Sequence, residues 1–411
     1  MSRPVARPGQ HGISAQRLQR IDQVLSADIA AGQLPGAVVL VARRGCIVHA
    51  TALGVQDPAT VSPMEISSIF RIFSMTKPFT SVAALMLMEE GRLQLSDPVS
   101  EFVPQFRAPM VSVAQPGPNG TLDHRMAPAA RAITLHDLLT HGSGLTYGER
   151  SANAPVREAH ARLGIAVNPR ECSPAEFVDR LAQAPLAHQP ASTWDYGLST
   201  DLLGAIVETV AGESLGRFLA ARLFEPLGMT DTGFHVGPAQ TARIAQPFAI
   251  DPVSGETLRI PGQVFDAAVK PRMESGGAGA LSTAADYYRF AQMLLRGGEL
   301  DGERVLSRSS VNLMTSDHLG TRIATPVTPG DAAMQSPGYG FGLGVAVRLA
   351  DGFALVPGSA GDFFWSGTAG TSFFVDPKLQ LITIFMAQAP GPSRLRYRRL
   401  MRQLVYRSIA D

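Results

Sequence analysis

A serine and a lysine three residues apart, Ser74 and Lys77 in the stretch RIFSMTKPFTSVAALMLMEEGRL (71–93), are the residues of this chain best placed to do chemistry. The chain holds three lysines, Lys77, Lys270 and Lys378, among 36 lysines and arginines, and only Lys77 has a serine three positions before it. Arginine does not give up its proton near neutral pH, whereas burial pushes a lysine toward the neutral amine. A lysine in a chain that otherwise chooses arginine therefore points to proton transfer with Ser74. Met75 to Met88 is apolar nearly all round, which predicts a buried helix, and Pro78 is tolerated only in its first turn. The helix start then falls near Ser74, with Ser74 and Lys77 on one face of the N-terminal turn. That end of a helix offers positive potential and free N–H groups, which favour an alkoxide on Ser74 and a donor for a substrate oxyanion. The competing account is a capping serine beside a lysine that snorkels to solvent.

Other chemical patterns are weaker. GESLG (212–216) satisfies Gly-x-Ser-x-Gly and would make Ser214 a nucleophile, but that elbow needs a preceding strand. Here TDLLGAIVETVA precedes it with helical periodicity, so Gly212 is expected to break two helices and Ser214 to cap the second. His136 and His141 are five apart and do not share a helix face, which argues against a metal pair. Cys46 and Cys172 are too few and too far apart for a disulfide framework or a zinc site. With no Walker or Rossmann glycine loop, no cofactor is implied.

The elements around these residues read as follows. Ser14 caps a helix carrying Leu18, Ile21, Leu25 and Ile29 on one face. GAVVLVARRGCIVHATALG reads as a hairpin about Arg43-Arg44-Gly45, and TSFFVDPKLQLITIFMAQ as strands Phe373–Val375 and Leu381–Met386 about Asp376-Pro377. The closing run SRLRYRRLMRQLVYR is expected to be a helix with Leu400, Met401, Leu404 and Val405 inward and its arginines solvated. Thr134 with Asp137 and Thr283 with Asp286 are capping signals, and 108–130 and 319–340 read as long Pro- and Gly-rich loops. The economical assembly is an α/β plus α chain: one antiparallel sheet built from both chain ends and covered by the terminal helices, with a mainly helical insertion. Its expected division is 1–73 with 275–411 as one discontinuous α/β domain and 74–274 as the helical one, with the site at their interface.

The chain has 411 residues, 45% hydrophobic and 17% charged, with a formal net charge of +1, the balance of an ordinary globular protein. No basic stripe is needed to reach that charge, which argues against a nucleic-acid partner. Apolar runs such as GAVVLVA (36–42) fall far short of the roughly 18 residues of a membrane span. The segment MSRPVARPGQHG lacks the apolar core of a secretory signal, so a soluble cytoplasmic protein is expected.

Five further stretches, TLHDLLTHGSGL (134–145), WDYGLSTDLLGAIVE (194–208), LFEPLGMTDTGF (223–234), SGGAGALSTAADYYRF (275–290) and YGFGLGV (339–345), follow Ser74-x-x-Lys77 in order. Together the six resemble the serine β-lactamase and penicillin-binding-protein superfamily, more narrowly its class C-like branch and, within it, the family VIII carboxylesterases. The resemblance runs from about residue 14 to the last helix and implies a β-lactamase-like fold. It implies that Tyr196 in WDYGLS works beside Lys77 as general base and proton shuttle. A phenol with an ordinary pKa of about 10 needs a nearby cation for that task, and Lys77 would supply it. Which of the two holds the proton at rest stays open. The resemblance also implies that the N–H groups of Ser74 and Thr368 form an oxyanion hole.

Two departures from the β-lactamase pattern bear on substrate. Leu198 stands where an asparagine is usual, removing an amide that would bond the side-chain amide of a β-lactam or peptide. Trp365-Ser366-Gly367 replaces Lys-Thr-Gly, removing a cation that pairs a substrate carboxylate and offering an apolar wall. The expected reaction is hydrolysis of short, uncharged small-molecule esters through an acyl-enzyme on Ser74. Acyl transfer, weak β-lactam hydrolysis and a non-catalytic ligand-binding role remain alternatives.

Overall fold

The computed structural model describes residues 5–117, 122–252, 254–255, 264–320, 338–391 and 393–411. Strands from both chain ends meet in one antiparallel sheet: Gly36–Arg43 (β1), Cys46–Asp57 (β2), Ser62–Pro63 (β3), Tyr339–Phe341 (β4), Ala346–Arg348 (β5), Phe363–Ser366 (β6), Ser372–Asp376 (β7) and Leu381–Ala387 (β8). Their order across the sheet is β4-β5-β6-β7-β8-β1-β2-β3. The N- and C-terminal portions join where β1 pairs with β8, Val38 opposite Met386 and Leu40 opposite Ile384. The apolar run of β1 is explained by burial on both faces. Val38, Leu40 and Ala42 enter one core, and Ala37, Val39 and Val41 enter the other.

The helices that bracket the sheet are Ala15–Ala30 (α1), Lys77–Glu89 (α2), Ser199–Ala211 (α3), Ala284–Leu295 (α4) and Ser393–Tyr406 (α5). On one face α1, capped by Ser14 as expected, packs Leu18, Ile21 and Leu25 with Met401, Leu404 and Val405 of α5. On the other, α2 is buried from Lys77 through Leu87 and packs against α3. Thr134 and Asp137 form the expected capping box. Thr283 caps α4, while the carboxylate of Asp286 accepts from Asp231 N and Thr232 Oγ1. Gly212 ends α3 in a left-handed conformation and Ser214 caps the next helix by accepting from Arg217 N, so GESLG joins two helices.

Two expectations are corrected. The 108–130 stretch is not a long loop: Met110–Pro116 pairs antiparallel with Leu122–Pro128, and Pro116 and Pro128 sit at strand ends, where a missing N–H costs the ladder nothing. The 319–340 stretch lies largely outside the described residues. The arginines of α5 are not all solvated either. Arg402 borders the inward face and is 5% exposed, because the fully buried Asp362 draws it in with Arg348. Among the described residues, no helix is long and apolar enough to cross a membrane.

Candidate active site

Ser74 stands in a single 3₁₀ turn, Phe73–Thr76, and Lys77 is the first residue of α2. The helix therefore starts three residues later than the sequence suggests, and the tighter turn makes the face-sharing closer, since side chains three apart eclipse in a 3₁₀ helix. Phe73, just before Ser74, is held at φ 44°, a left-handed conformation that costs a non-glycine residue about 1–3 kcal/mol. The surroundings overdetermine the turn. Thr76 Oγ1 donates to Phe73 O and accepts from Ala280 N, Thr80 Oγ1 donates to Gly276 O, and Tyr287 Oη donates to Met75 O. Between buried Phe73 and Met75, Ser74 alone is partly open.

Lys77 does not snorkel: it is 0% exposed. Its Nζ donates to Gly277 O at 2.9 Å and Tyr147 Oη at 3.1 Å and lies 4.6 Å from the centre of the Tyr196 ring. Burial is the largest single influence and opposes the charge. The phenols of Tyr147 and Tyr196 and the carboxylate of Asp201 together outweigh it and raise the Lys77 pKa. Burial alone, which is all the sequence shows, favours a neutral amine; the partners the fold assembles push the other way.

Tyr196 enters from the segment that leads into α3. It is 8% exposed, its ring meets Trp365 edge-on at 5.3 Å and Tyr147 at 5.6 Å, and its Oη, within reach of Lys77, makes no hydrogen bond of good geometry among the described residues. A buried hydroxyl without such a bond is unusual and marks a place where a proton donor or acceptor is expected. His141 meets Tyr196 at a tilt, ring centres 4.7 Å apart, and burial, with a further push from Lys77, sets its pKa well below the ordinary value and keeps the imidazole neutral. His136 turns away to His318, its Nε2 3.0 Å from His318 Nδ1, so the two sequence-adjacent histidines do not share a site. Among the described residues no cluster of three or more His, Cys, Asp or Glu side chains could hold a metal ion.

Trp365 and Ser366 end β6, and the chain turns at Gly367 against the serine turn. A methyl on Gly367 would stand 2.3 Å from Ile72 O, and Thr371 Oγ1 donates to that same carbonyl. Trp365, Ser366 and Gly367 are buried, while Thr368, like Ser74, is partly open. No described residue accepts a hydrogen bond from the N–H of either Ser74 or Thr368. Leu198 is buried.

Sequence reasoning missed Tyr147 and Asp201. Asp201 is a carboxylate opening the otherwise apolar run LLGAIV, an oddity that could have flagged it. Tyr147, two residues beyond TLHDLLTHGSGL, carries no comparable signal.

Comparison with known proteins accords with this architecture. Residues 21–406 match the family model described as Beta-lactamase. An uncharacterised protein of Mycobacterium tuberculosis is 37% identical, covering 87% of this chain and 86% of its own. Esterase EstB of Burkholderia gladioli is 31% identical, covering 91% of each chain. The solved structure of EstCE1, described as a hydrolase with promiscuous acyltransferase activity, superposes with a TM-score of 0.74 at 26% identity over 96% of this chain and 99% of its own. A β-lactamase-like fold with a serine, a buried lysine and two tyrosines gathered at the N-terminus of its central helix, matched by the family model over nearly its whole length, places this chain in the beta-lactamase family.

Proposed function

We propose that the protein is a serine carboxylesterase that hydrolyses short, uncharged esters through an acyl-enzyme on Ser74. The observation that carries this reading is the fully buried Lys77 side chain, whose Nζ donates to Tyr147 Oη and Gly277 O and lies over the Tyr196 ring, one turn from a partly open serine. Tyr196, acting as a phenolate beside Lys77, takes the proton of Ser74 as its Oγ attacks the ester carbonyl. Charge developing on the carbonyl oxygen is met by the N–H groups of Ser74 and Thr368. The tetrahedral intermediate expels the alcohol, which leaves with the proton from Tyr196. Water, deprotonated by the same phenolate, attacks the acyl-enzyme and releases the acid. Trp365 and Leu198 supply apolar surface and no cation, which suits an acyl group without a carboxylate. The relationship to esterase EstB supports ester bonds as the target. The same proposal makes the substrate a small molecule, the location cytoplasmic, and the site an interface between the 1–73 plus 275–411 portion and 74–274.

The likeness to EstCE1 favours a second outlet, transfer of the acyl group to an alcohol in place of water. Intact-mass spectrometry after exposure to p-nitrophenyl esters and a fluorophosphonate tests the reading, with Ser74→Ala and Ser214→Ala in parallel. A single adduct and ester turnover, both lost in Ser74→Ala and kept in Ser214→Ala, are expected. Turnover that survives Ser74→Ala would sink the assignment. Added short alcohols that divert product from acid to ester would establish the transferase outlet.

A further inference from the structure

The carboxylate that acts on the fully buried Lys77 lies outside the serine, lysine and tyrosine set. Asp201 is the third residue of α3, 0% exposed, in the first turn of a helix whose N-terminus favours a carboxylate. Its Oδ1 accepts from Ser275 Oγ at 2.5 Å and from Gly277 N at 3.1 Å. The carbonyl of the same Gly277 accepts from Lys77 Nζ. Gly277 therefore has its N–H on Asp201 and its C=O on Lys77. A methyl there would stand 2.2 Å from Asp201 Oδ2, so only glycine fits between them. Oδ2 is buried with no hydrogen-bond partner among the described residues.

The groups that face Lys77 are Tyr147 from the segment after TLHDLLTHGSGL, Tyr196 ahead of α3, Asp201 on α3 and the neutral His141. Asp201 is the one carboxylate among them. Burial raises the Asp201 pKa, and Lys77, Ser275 Oγ and Gly277 N pull it back toward the carboxylate.

We propose that Asp201 is the buried counter-ion that keeps Lys77 an ammonium and, through Gly277, the positioning residue that aims it between Tyr147 and Tyr196. Tyr196 and Asp201 flank the start of one helix, so a shift of α3 moves the phenol and the counter-ion together. The kinetic consequence rests on the esterase reading; the protonation state of Lys77 does not.

The test uses the small number of lysines. With lysine labelled with ¹³C at Cε, the chain gives three resonances, and the one lost in Lys77→Arg is that of Lys77. In the wild type this resonance is expected to report an ammonium at pH 8. In Asp201→Asn, which keeps the shape and the acceptor oxygen but loses the charge, its titration is expected to move to lower pH by about one unit or more. The basic limb of the kcat/KM profile on p-nitrophenyl acetate should move the same way. A merely structural role would lower kcat and leave both titrations in place. If Lys77 titrates identically in Asp201→Asn, or is a neutral amine at pH 8 in the wild type, the inference is overturned. Should the asparagine variant not fold, Gly277→Ala replaces it, because its methyl displaces the carboxylate; a downward shift supports the inference and an unmoved titration overturns it. An NMR shift without ester turnover by the wild type would count against the esterase reading and leave the counter-ion standing.

Discussion

At the scale of single residues, Lys77 shows how burial and partners compete. Desolvation pushes it toward a neutral amine, while Tyr147, Tyr196 and Asp201 push it back toward the ammonium, and in the proposed mechanism it is the cation beside Tyr196. Lys77→Arg is then informative. It keeps the charge, yet a planar guanidinium cannot reproduce the bonds to Gly277 O and Tyr147 Oη inside a fully buried site. A fall in kcat of at least about 100-fold with an unchanged circular dichroism spectrum is expected, within the range by which a positioned acid or base contributes. An arginine variant as active as the wild type would show that charge alone suffices.

At the scale of elements, three segments distant in sequence are fastened to one turn. The 275–281 stretch grips it through Thr76, Thr80 and Lys77, Tyr287 of α4 holds Met75 O, and the end of β6 abuts Ile72. The strained Phe73 survives because these contacts leave the turn no other place to go. Gly367→Ala should therefore act on catalysis. Its methyl would meet Ile72 O at 2.3 Å and Thr371 Oγ1 at 2.4 Å and would drive the β6 end away from the serine turn. We expect kcat to drop more than tenfold and the fluorophosphonate labelling rate of Ser74 to fall in step. Labelling at the wild-type rate would place Thr368 outside the oxyanion site.

At the scale of the whole molecule, the sheet and the C-terminal helix are locked by a buried charge cluster. Asp362, 0% exposed, accepts from Arg348 Nε at 2.6 Å and from both terminal nitrogens of Arg402 at 3.1 and 3.0 Å. Arg348 also donates to Tyr339 Oη and to the carbonyls of Val356 and Pro357. Removing the one anion leaves two buried guanidinium groups facing each other, and breaking a buried pair in this way costs about 3–5 kcal/mol. Asp362→Asn is expected to lower the denaturant midpoint and Tm accordingly while leaving Ser74 reactive in the fraction that folds. A midpoint within about 0.5 kcal/mol of the wild type would show that water or relaxation satisfies the arginines.

The sequence by itself determined the local pieces, because their causes are local. The period of α1 and its Ser14 cap, the hairpin at Arg43-Arg44-Gly45, the all-round apolarity of α2 and the Ser74-x-x-Lys77 spacing are written in neighbouring residues. The ordered motifs were enough to indicate the β-lactamase-like fold, and the resemblance they carry proposed roles for Tyr196, Trp365 and Thr368. What only the tertiary structure decided depends on contacts between residues far apart in the chain. The bonds of Lys77 need Tyr147 and Gly277 to be brought to it, and the burial of Arg402 needs Asp362 beneath it. A titration state or a buried ion pair is set by the sum of fields and bonds at one point in space, which spacing along the chain does not encode.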